Sequence, residues 1–256
     1  MSKLLQYDHI ILDGFGTLYD KNFSPINGSS ELLNLIGSKG ILFSNMGSIL
    51  GSELKEKLNY KMESSPVSFI TSLNLLCQYI ENNDIKSIYH YGGTSADNIL
   101  RKTCTIASSI EDVVDAIVFT SLPQDNWIQK SQDILRYIYY HKKATVILAN
   151  PDRLLPNKHV GINVGMVFDM LVNNWPSEEF KLSKIEIGKP LLSRINLQIG
   201  SKENILVIGD NKHTDGGLAK ALKADLILIS EYEKNNFNDG VWCYRSLKAL
   251  LSEFDV

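Results

Sequence analysis

Short apolar runs punctuate the chain at 9–12, 41–43, 88–91, 116–119, 145–148, 205–208 and 226–229. Most are rich in Ile, Val, Leu or Phe, and several are bracketed by turn residues. Unbroken apolar runs of this length are the pattern of strands buried on both faces of a parallel sheet. Longer amphipathic stretches lie between them and predict helices over 30–37, 66–82, 95–102, 127–141, 190–198, 216–222 and 247–254. Strand and helix alternate, which predicts an α/β fold, Rossmann-like, with right-handed crossovers. The runs at 88–91, 116–119 and 145–148 form a separate group. They end in Gly92-Gly93, Thr120-Ser121 and Asn150-Pro151-Asp152-Arg153. That group is expected to be a smaller α/β unit inserted at 65–181, with 1–64 and 182–256 building the main domain. No internal repeat or low-complexity segment interrupts the pattern.

Composition narrows the function classes. The chain has 256 residues, 44% hydrophobic and 21% charged, with a net charge of −3. That suits one large domain, or a core with an inserted module, able to bury a sizeable interior. No basic field points to nucleic acid, and no basic amphipathic stretch points to a membrane surface. No apolar run approaches the ~18 residues of a spanning helix. The opening MSKLLQYDHIILDG does not read as a signal peptide, because its apolar run is short and Asp8 interrupts it. Cys77, Cys104 and Cys243 are isolated and odd in number. They are expected as free thiols filling core space, in a reducing, cytoplasmic compartment.

Parallel sheets bind ligands beyond the carboxyl ends of their strands, so the residues following each run carry the chemistry. Asp13 follows Leu12, Ser44 and Asn45 follow Phe43, and Gly209-Asp210 follow Ile208. Lys189 stands between Gly188 and Pro190, at the expected start of a helix. A carboxylate at a tight turn can attack phosphorus or carbon to give a covalent intermediate. Mg²⁺ takes oxygen ligands, commonly one or two carboxylates with waters and substrate oxygens. Asp13, Asp210 and the Phe15 backbone carbonyl fit that role. Asp215 can hold a metal-bound water or orient Lys189, and "TDGGLAKA" equally reads as a helix start capped by Thr214 or Asp215. Lys189 is a point charge for a phosphoryl group. Ser44, with the backbone N–H groups of Asn45 and Met46, can donate to phosphate oxygens.

Four segments in order, ILDGFGTLYD, ILFSNMGS, IGKP and ILVIGDNKHTD, resemble the motifs of the haloacid dehalogenase (HAD) superfamily. "SPINGSSELLNLIGSKGILFSN" is similar to the opening of the class IIA, NagD-like phosphatases. "LANPDRLLP" resembles their cap segment near the substrate entrance, and nearly the whole chain is covered, most weakly over 95–130. The resemblance implies a HAD core with a C2-type α/β cap that closes over the site. It implies a Mg²⁺-dependent hydrolase acting on a small phosphorylated metabolite through an aspartyl-phosphate at Asp13. Asn45, Asn150, Asp152 and Arg153 become candidate substrate contacts, although N-P-D-R is also a good turn sequence. A homodimer is compatible with this reading.

The chain departs from the family at Phe15, where HAD phosphatases usually carry an Asp that protonates the leaving group and then activates water. Such help is typically worth ~10²–10⁴-fold. Three consequences are open. The leaving group needs no proton, as with acyl phosphates, and water is activated elsewhere, for instance by His213. The substrate is instead a haloacid, although GDNKHTD keeps both acids of a metal site that dehalogenases do not need. Or the chain binds a phosphorylated ligand or a partner with little or no turnover.

Overall fold

All seven apolar runs are strands. A computed structural model of the chain describes residues 3–59, 67–109, 111–155, 161–191, 197, 199–200, 203–231, 236–238 and 241–253. In chain order the strands are β1 (His9–Asp13), β2 (Gly40–Ser44), β3 (Ser68–Thr71), β4 (Ser87–Tyr91), β5 (Thr105–Ile106), β6 (Ala116–Phe119), β7 (Lys143–Leu148), β8 (Leu154–Leu155), β9 (Gly161–Ile162), β10 (Lys181–Glu186), β11 (Ile205–Gly209), β12 (Asp225–Ile229), β13 (Asn236–Asn238) and β14 (Val241–Tyr244). The helices are α1 (Ser29–Ile36), α2 (Gly51–Asn59), α3 (Ser72–Asn82), α4 (Thr94–Leu100), α5 (Trp127–His141), α6 (Val164–Val172), α7 (Thr214–Leu222) and α8 (Leu247–Glu253). The helix expected over 190–198 falls mostly outside the described residues.

The chain divides into two units. The first comprises Met1–Ser44, Gly51–Ile70 and Lys189–Val256, the second Asn45–Leu50 and Thr71–Gly188. These limits differ from the expected cuts at 64/65 and 181/182 for two reasons. The stretch 66–82 is not one helix: its start is β3, an edge strand of the first unit's sheet beside β2. Phe69, Ile70 and Thr71 favour extended backbone. Thr71 then caps α3, its Oγ1 accepting from the Asn74 N–H at 3.4 Å while Asn74 Oδ1 accepts from the Thr71 N–H at 3.0 Å. At the other end, β10 pairs in parallel with β7 and so belongs to the second unit's sheet.

The first unit is built on seven strands in the order β13-β14-β12-β11-β1-β2-β3. β1 pairs in parallel with β11 (Leu12 beside Ile208) and with β2 (Asp13 beside Phe43). β12 and β14 extend the parallel set, and β13 closes the edge antiparallel to β14. Ile10, Ile11 and Leu12 are buried, each contributing about 1.5–3 kcal/mol of apolar burial. The chain leaves β1 toward β2 on one side and returns as β11 on the other, so the topological switch lies at the carboxyl ends of β1 and β11. That is where such sheets place ligands.

The second unit has a five-stranded parallel sheet, β10-β7-β6-β4-β5. Its core is aromatic: the Tyr91 and Phe119 rings lie 4.9 Å apart, and Phe119 meets Phe168 edge-on at 5.3 Å. Cys77, Cys104 and Cys243 are free thiols. No helix among the described residues is long and apolar enough to cross a membrane.

Candidate active site

β1 ends in a loop that folds back on itself. The Gly14 carbonyl accepts from the Leu18 and Tyr19 N–H groups at 2.7 and 3.1 Å, and the Gly16 N–H donates to the Tyr19 carbonyl at 2.9 Å. Gly16 adopts φ +85°, and a Cβ there would lie 2.2 Å from Asp210 Oδ2. Only glycine meets both conditions, and its absent side chain lets the first loop press against the acid beyond β11.

The β11 loop is organised by a residue that sequence reasoning passed over. Asn211 Oδ1 accepts from the backbone N–H groups of His213 (2.9 Å) and Thr214 (3.3 Å) at the start of α7. The N-cap position of α7 is His213, and it is the Asn211 side chain, not that of Thr214 or Asp215, that binds the N–H groups of the turn leading into the helix. The Asn211 N–H in turn donates to Asp215 Oδ2 at 3.1 Å, which turns the Asp215 carboxylate inward, where it is 1% exposed.

Lys189 joins the two loops. Its ammonium, 3% exposed, donates to Asp13 Oδ1 and, at 2.7 Å, to Asp215 Oδ1. Asp13, Asp210 and Asp215 each offer a carboxylate oxygen, all within 4.8 Å of one another. Burial holds the Asp13 carboxyl well above the usual carboxylate range, with Asp215 and Asp210 adding to the effect and Lys189 opposing it. Asp210 is the exposed member of the trio by surface area. Even so, the protein walls around it, and then the Asp215 charge, push it up to about 6. Burial works against the Lys189 charge, but Asp13 and Asp215 outweigh it and hold the ammonium above the ordinary lysine value.

Three carboxylates against one ammonium leave two negative charges when all are ionised. A close-set, all-oxygen donor set with that surplus fits a hard dication such as Mg²⁺. Half-buried Phe15 follows in the same loop, its ring edge-on to Tyr19 with centroids 6.4 Å apart.

Ser44 closes β2 and is buried. Tyr19, read in the sequence only as part of a motif, is fully buried, and its hydroxyl is affected first by burial and then by the neighbouring Ser44 hydroxyl. The two do not form a hydrogen bond of normal length, and Tyr19 Oη has no partner among the described residues. Thr17, also buried, makes a long 3.5 Å contact with Asp13 Oδ2. Exposed His213 lies in the turn before α7.

The remaining candidates belong to the second unit. Asn45 Nδ2 donates to Asp152 Oδ1 at 2.9 Å, and the Asp152 N–H donates to Asn150 Oδ1 at 3.3 Å. The Arg153 guanidinium is engaged by carboxylates of its own unit, Nε donating to Asp169 at 3.1 Å and Nη2 to Glu186 at 3.2 Å.

No family model and no curated protein sequence matches the chain, but solved structures do. The p-nitrophenyl phosphatase from Archaeoglobus fulgidus superposes with a TM-score of 0.75 at 18% identity, covering 96% of this chain and 99% of that one. NagD from E. coli K-12 gives 0.71 at 19% identity over 94% and 97%. A glycerol phosphate phosphatase from Mycobacterium tuberculosis in complex with magnesium gives 0.74 at 18% identity over 98% and 78%. The chain therefore has the fold of the NagD-like phosphatases, with parallel-sheet α/β architecture over nearly its whole length.

Proposed function

We propose that this chain is a Mg²⁺-dependent phosphatase of a small phosphorylated metabolite, working through an aspartyl-phosphate at Asp13. The observation that carries the reading is the convergence of Asp13, Asp210 and Asp215 around buried Lys189 at the β1/β11 switch point. The fold it shares with solved phosphatases supports it further. Asp13, Asp210 and Asp215, with the Phe15 carbonyl, would hold Mg²⁺, which when bound supplies the positive charge that neutralises phosphoryl oxygens.

The rest is the work of the chain's own groups. Lys189 engages Asp13 Oδ1, which leaves Oδ2 as the oxygen that attacks phosphorus. Ser44 donates to a phosphoryl oxygen, and Lys189 stabilises charge on both nucleophile and phosphoryl group. Asp215 orients Lys189 at 2.7 Å. Asn45, Asn150, Asp152 and Arg153 are assigned to substrate recognition.

Phe15 carries no proton, so the scheme favours leaving groups that depart without one, such as acyl phosphates. It also offers no base for the water that attacks the aspartyl-phosphate, so the second step is the slow one. Acetyl phosphate, p-nitrophenyl phosphate and an alkyl phosphate, each supplied with Mg²⁺, test this. The expected result is faster turnover of the first two, with one phosphoryl group retained on the protein and lost in Asp13→Asn. Turnover surviving in Asp13→Asn overturns the nucleophile assignment. Phe15 also motivates a second reading, a phosphate-binding homologue with little turnover. Tight phosphate binding with no product from any of the three substrates selects it. The cluster of three acids weighs against a haloacid substrate, since halide displacement requires no cation.

A further inference from the structure

Tyr19 carries a buried polar atom that the fold itself does not use. A phenylalanine would supply the same ring contacts, edge-on with Phe15 and stacked on Phe23 at 5.5 Å, without burying a hydroxyl. Buried donors without acceptors are rare because each forfeits its hydrogen bonds to water, and one at a reactive centre calls for a functional account. The backbone makes room for the ring edge and its hydroxyl together: a Cβ on Gly14 would lie 2.7 Å from both Tyr19 Cε1 and Tyr19 Oη. The hydroxyl is thereby held against Gly14, just past the end of β1, and because Asp13 pairs with Phe43, Ser44 ends the neighbouring strand at the same level.

We propose that Tyr19 is a positioning residue of this site: when a tetrahedral oxyanion binds, its hydroxyl donates to Ser44 Oγ and aims the Ser44 proton at the oxyanion. A serine hydroxyl has one proton to give. With Tyr19 as donor, Ser44 Oγ accepts and its own proton is left for the ligand. The reverse order would waste it. Lys189 engages Asp13 Oδ1 and the phosphoryl group takes Oδ2, which leaves Ser44 Oγ as the acceptor for the phenol. Catalytic hydrogen bonds that are long in the free protein commonly tighten in the complex. Chained hydroxyls polarise one another, which matters more in a site whose Phe15 adds no donor.

This inference rests on the phosphatase reading. The test uses Tyr19→Phe, Ser44→Ala and the double variant in the full chain, with orthovanadate and Mg²⁺ in calorimetric titration and with melting followed in parallel. Tyr19→Phe is expected to melt no lower than the parent, because it removes an unpartnered buried hydroxyl. It should bind vanadate about 3- to 10-fold more weakly, as losing one hydrogen bond implies. In the Ser44→Ala background the same change should do nothing further. If the parent binds vanadate and Tyr19→Phe binds it equally, or if the two losses simply multiply in the double variant, the positioning role is overturned and the phosphatase reading stands. If the parent binds no vanadate with Mg²⁺, both are overturned.

Discussion

Replacing Lys189 with Met removes the cation that the structure places between Asp13 and Asp215. The side-chain exposures are 3% for Lys189, 1% for Asp215 and 12% for Asp13. Removing one partner of a buried pair costs about 3–5 kcal/mol, because the other charge is left uncompensated. For a chain of this length each kcal/mol moves the melting temperature by roughly 2–4 °C, giving a drop of roughly 6–20 °C in the transition of the first unit. The loss should depend on pH in a definite sense. Without Lys189 the Asp13 carboxyl, already raised, rises further. The folded state then holds protons that the unfolded state has released, and its stability falls as pH climbs from the ordinary carboxylate range through the folded value. The deficit is therefore smaller at about pH 5.5 than at about pH 7.5. Mg²⁺ should stabilise Lys189→Met more than the parent, since the variant presents three uncompensated carboxylates where the parent presents a surplus of two. Calorimetry at both pH values, with and without Mg²⁺, measures all three effects. A melting temperature within about 2 °C of the parent at the higher pH would show that the ion pairs contribute little, and the electrostatic account of the site would fall with them.

Asp210→Asn should abolish any rise in melting temperature produced by Mg²⁺ in the parent. Asp210 is pushed up to about 6, and in the proposed site its ionised form is the ligand. Parent Mg²⁺ affinity should therefore hold above that pH and weaken as pH falls through it, while the metal-free protein loses the cost of that charge and gains stability. Titration calorimetry across this range would refute the assignment if affinity stayed flat. Phe15→Asp should raise turnover of alkyl phosphates, by up to ~10²-fold if the missing acid is the only defect. An unchanged rate in a steady-state assay would mean that the pocket, rather than the proton, limits the reaction.

The sheet was legible wherever a strand is buried on both faces. β1, β2, β4, β6, β7, β11 and β12 each coincide with a predominantly apolar run. β10 escaped notice because KLSKIE lies at a sheet edge with most positions half-buried or exposed. β3 was hidden because its four residues run directly into the capped helix α3. α6 was missed because VGMVFDMLV is apolar beyond its buried face, with Met166 and exposed Met170 on its other sides, and a helix apolar on most sides shows little periodicity. Asp13, Ser44 and Asp210 were legible as polar residues directly after strands. Asn211 offered the ordinary signal of an Asx residue before a helix, but the more conspicuous Thr214 and Asp215 obscured it. The partners of Arg153 were out of reach. Asp169 and Glu186 lie 16 and 33 residues further along the chain, and only folding brings them to it.

What sets the β1/β11 crevice apart from the rest of the fold is that its residues oppose stability. Asp13 and Asp210 sit at raised pKa values, so their ionised forms cost free energy that neutral or apolar residues of similar size would not. Tyr19 buries a hydroxyl with no partner among the described residues, and Gly16 holds a backbone conformation that keeps a side chain away from Asp210. Folding alone accounts for none of these, and groups of this kind collect where chemistry requires them. Phe15 runs the other way. A carboxylate there would add a fourth anion beside three that already repel one another, and the aromatic ring spares the loop that charge at the expense of a proton carrier. The surplus of two negative charges and the absent acid therefore point the same way. The crevice is suited to holding a dication and an oxyanion, which agrees with the substrate proposed above, one whose bond to phosphorus breaks without help from a proton.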